Sequence, residues 1–87
     1  MKLYGTYREI YKNNKTTPEE VIIDKKIFKT LEEATRYALH EQDENTLRYG
    51  YRYISQFISI QEQYNSKTEK TTTYRHEWNV MEYEIEA

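Results

Sequence analysis

The sequence predicts an α+β fold in which an antiparallel sheet of three to four strands carries one α-helix on one face. Two observations lead to this prediction. Alternating runs rich in Tyr, Ile and Thr lie near both ends of the chain, as is typical of strands, and a helix-start signal lies between them at Thr30. The predicted order is β-(β)-α-β-β, with a long C-terminal hairpin. Because 87 residues leave room for one modest core, we expect a single domain, residues 1–87.

The first strand is predicted over Met1 to Lys12, where Leu3, Tyr7 and Tyr11 share the odd positions. A short second strand is predicted over Val21 to Phe28, because Val-Ile-Ile is a β-branched triplet. The preceding Thr-Pro-Glu-Glu is also a good helix start. A helical turn in this region therefore stays open as the alternative.

The helix is predicted over residues 31–42. Thr30 and Glu33 have the spacing of a capping box, and two acids in the first turn suit the helix dipole. A narrow apolar stripe follows at Leu31, Ala34 and Ala38. The polar run from Gln42 to Asn45 loses this stripe, which predicts the end of the helix.

The last two strands are predicted over Leu47 to Tyr64 and Lys67 to Glu86, with Gly50 as a bend. If Asn65-Ser66 is a two-residue turn, Tyr53 lies opposite Trp78 and Phe57 lies opposite Tyr74, so that rings pair with rings. The same register places Glu62 opposite Glu69, and a longer turn reaching Lys70 would remove this like-charge pair. The apolar positions change phase near Val80-Met81, which predicts a β-bulge.

Composition excludes several functional classes. A formal net charge of −2 gives neither the basic surface of a polyphosphate binder nor the dense anionic surface of a DNA mimic. The chain has no Cys, so disulfides, thiol catalysis and zinc–thiolate sites are excluded. No run approaches the ~20 apolar residues of a membrane helix, and the first residues alternate instead of forming an apolar signal segment. We expect a cytosolic protein with no membrane partner.

Few residues could carry catalysis. The two histidines are His40, which forms an i, i+4 pair with Glu44 on the helix, and His76 on the last strand. The first pair is typical of a solvated helix surface, and a strand sends His76 and Glu77 to opposite faces. No Gly-rich phosphate loop or nucleophile motif is present. We expect a protein that is not an enzyme, with no catalytic residue, no metal site and no cofactor.

The predicted function is binding of a protein partner. With the rings as the inner face of the sheet, a mixed outer face remains, and this composition is enriched at interfaces. The candidate partner-binding residues are Arg48, Arg52, Ile54, Gln56, Ile58, Arg75 and Glu77. Long hairpin edges also favour self-association.

The origin and one alternative function rest on weaker patterns. The bias toward Lys, Ile, Tyr and Asn suggests an AT-rich genome. We interpret it as indicating a phage or mobile-element accessory protein, such as an inhibitor of a host defence or regulatory protein. The alternative is a single-stranded nucleic-acid-binding protein, because Arg48 to Tyr53 interleaves Arg with Tyr and tyrosine rings stack on bases.

Overall fold

The computed structural model describes residues 1–86. Its elements are β1 Lys2–Lys12, β2 Glu20–Ile23, α1 Leu31–Tyr49, β3 Arg52–Ser55, β4 Ile58–Asn65 and β5 Lys70–Glu84. The five strands form one sheet in the order β2-β1-β5-β4-β3, and each neighbouring pair is antiparallel. The α+β class with one helix is confirmed, while the predicted three to four strands become five.

The first half of the sheet follows the sequence pattern closely. β1 pairs with β5 along its whole length, from Lys2↔Glu84 to Lys12↔Tyr74, with no shift of register. The predicted bulge near Val80 is therefore wrong. The apolar positions of β5 change phase because both faces of the sheet carry apolar side chains in this half, with Trp78 on one face and Met81 on the other.

The second predicted element is a strand and not a helical turn, but it is shorter than predicted. β2 ends at Ile23, and the chain returns to the sheet at Phe28, which exchanges backbone hydrogen bonds with Tyr4 at 2.7 and 2.9 Å. Asp24 lies between these contacts, and its N–H donates to the Thr6 carbonyl at 3.0 Å.

Helix α1 is seven residues longer than the predicted 31–42. Thr30 is the N-cap as predicted, and its hydroxyl accepts from the Glu33 N–H at 3.2 Å. The helix continues past Gln42 because the buried stripe continues in polar residues: Gln42 and Thr46 follow Ala38 at intervals of four and are 2% exposed. It ends at Gly50, whose left-handed φ of 70° is the usual C-cap conformation of glycine.

The prediction of one strand over Leu47 to Tyr64 is wrong. Its first residues belong to α1, Gly50 caps the helix instead of bending a strand, and a tight turn at Gln56-Phe57 divides the remainder into β3 and β4. Helix propensity of the residues before Gly50 and the glycine cap outweigh the alternation of tyrosines.

The predicted hairpin register is also wrong. Tyr74 lies opposite Gln61 rather than Phe57, a shift of four residues, and Tyr53 belongs to β3, which does not contact β5. The turn spans residues 66–69 because Asn65 starts it with its side chain, accepting from the Lys67 N–H at 2.9 Å. Because this shift is by an even number, the residues of β4 and β5 keep their predicted faces. In β3 a register irregularity lies between Tyr53 and Ser55, so the predicted alternation of faces does not hold there.

The core lies between α1 and one face of the sheet. The helix contributes Ala34, Ala38, Gln42 and Thr46, and the strands contribute Thr6, Ile10, Ser59, His76 and Trp78, all buried. Small residues on α1 allow the helix to lie close to a sheet with bulky rings. Beyond Lys12 the β4–β5 hairpin continues alone, which helps to explain the 57 Å length of the molecule.

Candidate protein-binding surface

No element among residues 1–86 packs against the sheet face opposite α1, which we call the open face. Two rows of directly opposed residues cross its centre. The first row is Arg52, Ile60, Arg75 and Tyr11, and the second is Ile58, Glu77, Glu9 and Val21. These residues alternate with the buried ones, so the same registers that bury Ser59 and Trp78 place this set outward.

The centre of the open face is a polar network on an aromatic base. The Arg75 guanidinium lies 4.4 Å from the centre of the Tyr11 ring and forms an ion pair with Glu77. Glu9 accepts hydrogen bonds from the Tyr11 hydroxyl at 3.1 Å and from Asn79 at 3.2 Å. Partial burial and the hydrogen bond to Glu9 raise the pKa of Tyr11. Arg75, Glu77, Glu9 and Tyr11 thus form neighbouring polar contacts at the centre of the open face.

The β2 side of the open face is apolar. Val21 and Ile23 are 50% and 59% exposed, and they lie opposite Glu9 and Tyr7 of β1. Val21 and Ile23 thus add exposed apolar surface beside Glu9 and Tyr7 at this edge of the open face.

A groove of about 390 Å³ opens where β4 begins. It is lined by Gln56, Phe57, Ile58, Glu77, Trp78 and Val80, among others. β4 pairs with β5 only as far as Glu77, and the Phe57 carbonyl accepts one further bond from the Trp78 N–H at 2.8 Å. Beyond this point the β4 side of β5 has no neighbouring strand among residues 1–86.

The turn beside the groove is strained and held from the helix. Phe57 has φ of 72°, a conformation that bulky residues rarely adopt. Its N–H donates to Gln42 Oε1 at 2.7 Å. Gln42 Nε2 lies 2.9 Å from the Ser55 carbonyl, 3.1 Å from the Ile58 carbonyl and 3.1 Å from Ser59 Oγ. One buried amide therefore satisfies the backbone on both sides of the turn.

The structure separates the predicted partner-binding residues into groups. Arg52, Ile58, Arg75 and Glu77 lie together on the open face. Gln56 joins Ile58 and Glu77 at the groove, and Ile54 lines a neighbouring depression with Leu39. Arg48 lies apart in the last turn of α1, because the chain there is helix and not strand.

On the helix side, aromatic rings form a ladder that ends at the surface. Tyr49 stacks on Tyr51 with ring centres 5.8 Å apart, Tyr51 on His76 at 4.5 Å, and His76 on Trp78 at 5.9 Å. Arg8 covers the buried end, 5.4 Å from the Trp78 ring centre. Burial and then the Arg8 charge lower the pKa of His76 to about 4, so His76 is neutral at pH 7.

The described residues offer little that catalysis or metal binding could use. Residues 1–86 contain no group of three or more metal-ligating side chains. His76 Nε2 forms a hydrogen bond of 2.9 Å with Gln61 Oε1. The buried Nδ1 of His76 has no hydrogen-bond partner within residues 1–86. The pair of His40 and Glu44, 3.3 Å apart, lies exposed on α1. Within the same residues, the one helix lacks the apolar length that membrane crossing requires.

Sequence reasoning missed the β1 contribution and the role of Gln42. Tyr7, Glu9 and Tyr11 share one face by simple alternation, and this signal would have placed them beside Arg75 once β1 was paired with β5. Gln42 continues the spacing of four that begins at Ala34 and Ala38. A polar residue in register with a buried stripe was the available signal for a buried amide.

Comparisons with family models, with curated proteins and with solved structures found no match to this chain. The surfaces described above are therefore interpreted from the chemistry of their own residues.

Proposed function

We propose that this chain is a non-catalytic, cytosolic module that binds a protein partner through the open face. The observation that carries the proposal is that a whole face of the sheet, bearing tyrosines, aliphatics and ion pairs, has no covering element among residues 1–86. A sheet layer normally buries one face against a helix, and α1 already supplies that cover on the other side.

The composition of the open face supports a protein partner. Tyrosine and arginine are the residues most enriched at the energetic centres of interfaces, and here Arg75 lies over Tyr11. Arg52 adds an exposed charge at one side, with its Nη2 3.1 Å from Glu62, while Val21 adds exposed apolar area at the other. In a complex, apolar residues supply the area that binding buries, and neighbouring charges orient the partner. A role as a phage or mobile-element inhibitor of a host protein fits this design.

Two arginines of matched chemistry provide the test. Arg52 on the open face and Arg36 on the outer surface of α1 are both exposed, and each places Nη2 beside a glutamate, at 3.1 and 3.2 Å. Purified wild-type chain, Arg52→Glu and Arg36→Glu would be immobilised and exposed to lysate of the source organism. We expect a protein retained by wild type and Arg36→Glu but lost from Arg52→Glu. Equal retention by all three chains would contradict binding at the open face.

A second candidate function, single-stranded nucleic-acid binding, is favoured by the exposed end of the ring ladder. Tyr49 is 59% exposed, and the Arg48 guanidinium lies 5.8 Å from its ring centre. A base could stack on this ring with the cation near its phosphate. Retention of labelled single-stranded DNA or RNA at low salt, weakened by Arg48→Ala and not by Arg52→Ala on the open face, would support it. No retention at low salt would reject it.

A further inference from the structure

We infer that the β4 side of β5 over Val80–Glu84, here called the free edge, accepts an extended basic segment of the partner as a sixth strand. The inference rests on the proposed function, because the added strand would enlarge the open face. The sheet has a vacancy there, because β4 begins at Ile58 opposite Glu77 while β5 runs on to Glu84.

The backbone geometry defines which groups face the vacancy. The Trp78 N–H donates toward β4, to the Phe57 carbonyl at 2.8 Å. Backbone groups alternate in direction along a strand, so Val80, Glu82 and Glu84 direct their N–H and C=O groups to the same side as Trp78. These groups have no hydrogen-bond partner within residues 1–86. Unpaired edges of this kind pair readily with an extended peptide.

The turn at Gln56-Phe57 sets the limit of the free edge, next to Trp78. The Phe57 carbonyl uses the Trp78 N–H, so an incoming strand can begin pairing only at Val80. The groove beside this point, about 390 Å³, offers Phe57 and Ile58 to the terminal side chain of the strand. The strained φ of Phe57, held by Gln42, keeps the turn from closing the vacancy.

Charge selects the occupant. Residues 77–86 include four glutamates and no Lys or Arg. Glu82 and Glu84 alternate with Met81 and Tyr83 along the free edge, and the side chains of both glutamates are more than half exposed. Two exposed cations lie near these glutamates: Lys2 Nζ is 3.7 Å from Glu82, and the N-terminal ammonium of Met1 is 3.8 Å from Glu84. Pairs this exposed leave both carboxylates open to a competing cation. An added strand with Lys or Arg toward the helix side would complement Glu82 and Glu84. Its apolar residues, directed toward the open face, would pack beside Met81 and Tyr83.

A second copy of the chain fits less well. Antiparallel pairing of Val80–Glu84 with the same segment of another molecule would place Glu82 opposite Glu82. Like charges directly opposite each other destabilise a strand pair. The geometry therefore points to a basic strand of a different protein.

The test uses a blocked peptide of alternating valine and lysine, about seven residues long so that it spans the free edge. The measurement is NMR amide exchange of the purified chain, with a valine–glutamate peptide as the control. We expect slower exchange at Val80, Glu82 and Glu84 with the lysine peptide only. Reversing charge with Glu82→Lys and Glu84→Lys together should weaken binding about tenfold.

Two substitutions at one position separate backbone pairing from charge. Glu82→Pro removes an N–H that faces the vacancy and not β1, a position where a strand tolerates proline, and should abolish the protection. Glu82→Gln keeps the N–H and should weaken binding only a few-fold. Trp78 fluorescence in both variants checks that the fold is kept.

Several results would overturn the inference. These are no protection, protection along β2 or β3 instead, or protection of the free edge in the free chain together with a dimer mass. If Arg52→Glu loses a retained protein while Glu82→Pro keeps it, the open-face function stands and the free-edge inference fails. If the peptide protects the free edge while Arg52→Glu and Arg36→Glu retain the same proteins, binding at the free edge stands and the open-face function fails.

Discussion

The side-chain oxygen of Gln42 accepts a hydrogen bond of 2.7 Å from the backbone N–H of Phe57. This contact joins the middle of the helix to a turn in which an aromatic residue has a positive φ. Because the turn directly precedes β4, that strand begins only at Ile58, opposite Glu77, and the rest of the β5 edge is left unpaired. A buried polar residue of the helix thus determines the shape of the surface that we propose for binding.

Gln42→Leu should be strongly destabilising. The substitution leaves the Phe57 N–H, the nearby carbonyls and Ser59 Oγ without this partner in a partly buried site, which costs about 2 kcal/mol of unfolding free energy. Urea unfolding followed by Trp78 fluorescence measures the loss. Gln63→Leu, at an exposed position of β4, serves as the control and should change stability by less than about 0.5 kcal/mol. Equal effects of the two substitutions would show that the hydrogen bonds of Gln42 to the turn at Phe57 do not stabilise the fold.

Glu69→Gly should stabilise the chain. Glu69 has φ of 56° in the exposed β4–β5 turn, a conformation that costs a residue with a side chain about 1 kcal/mol relative to glycine. We expect an increase of up to about 1 kcal/mol in the unfolding free energy, measured by urea titration. Lys67→Gly, in the same turn but without a positive φ, should give no gain. A gain from both would attribute the effect to something other than φ.

Stability should fall in mild acid because of His76. Its pKa is about 4 in the folded chain and about 6.5 when unfolded, so below pH 6.5 the unfolded state binds a proton that the folded state does not. The stabilisation is complete above pH 6.5 and is lost as the pH falls toward 4. Unfolding free energy should drop by about 2 kcal/mol between pH 6.5 and pH 5.

His76→Gln provides the control for this titration. It removes the titrating ring, so it should remove most of the pH dependence in this interval even though it lowers stability at pH 7.5. Urea unfolding of both chains at several pH values measures the two slopes. An unchanged slope in His76→Gln would show that other groups cause the loss.

Ala38→Leu should destabilise the contact between α1 and the sheet. Ala38 is 0% exposed, so a larger side chain forces the helix away at a cost of about 2 kcal/mol. Glu44→Leu, at an exposed position of the same helix, should change stability by less than about 0.5 kcal/mol. Thermal unfolding by circular dichroism compares them. Tolerance of leucine at Ala38 would indicate a looser core than the one described.

The first strand, the helix start and the facing of the last strand could be predicted because each follows from local alternation or capping. Thr30 caps the helix and β1 spans the predicted residues. The helix end could not be predicted from apolar periodicity, because its last buried positions are Gln42 and Thr46. Their burial depends on partners such as Ser59, which are distant in sequence.

Part of the candidate surface could also be predicted from local alternation along the strands. Arg52, Ile58, Arg75 and Glu77 lie on the predicted outer face, because an even shift of register preserves faces. Arg48 was misplaced when the end of α1 was taken for a strand. The vacancy beside β5 depends on where β4 begins, at Ile58. The turn before Ile58 is held by the contact of Gln42 with Phe57, and no local pattern shows it.

The most direct test of partner binding is amide hydrogen exchange of the chain in complex with the protein that it retains. We predict new protection at Val80, Glu82 and Glu84 in the complex, with exchange on the outer surface of α1 around Arg36 unchanged. Protection confined to α1, or to the outer edges of β2 and β3 with the free edge exchanging as fast as in the free chain, would contradict binding of the partner at the free edge.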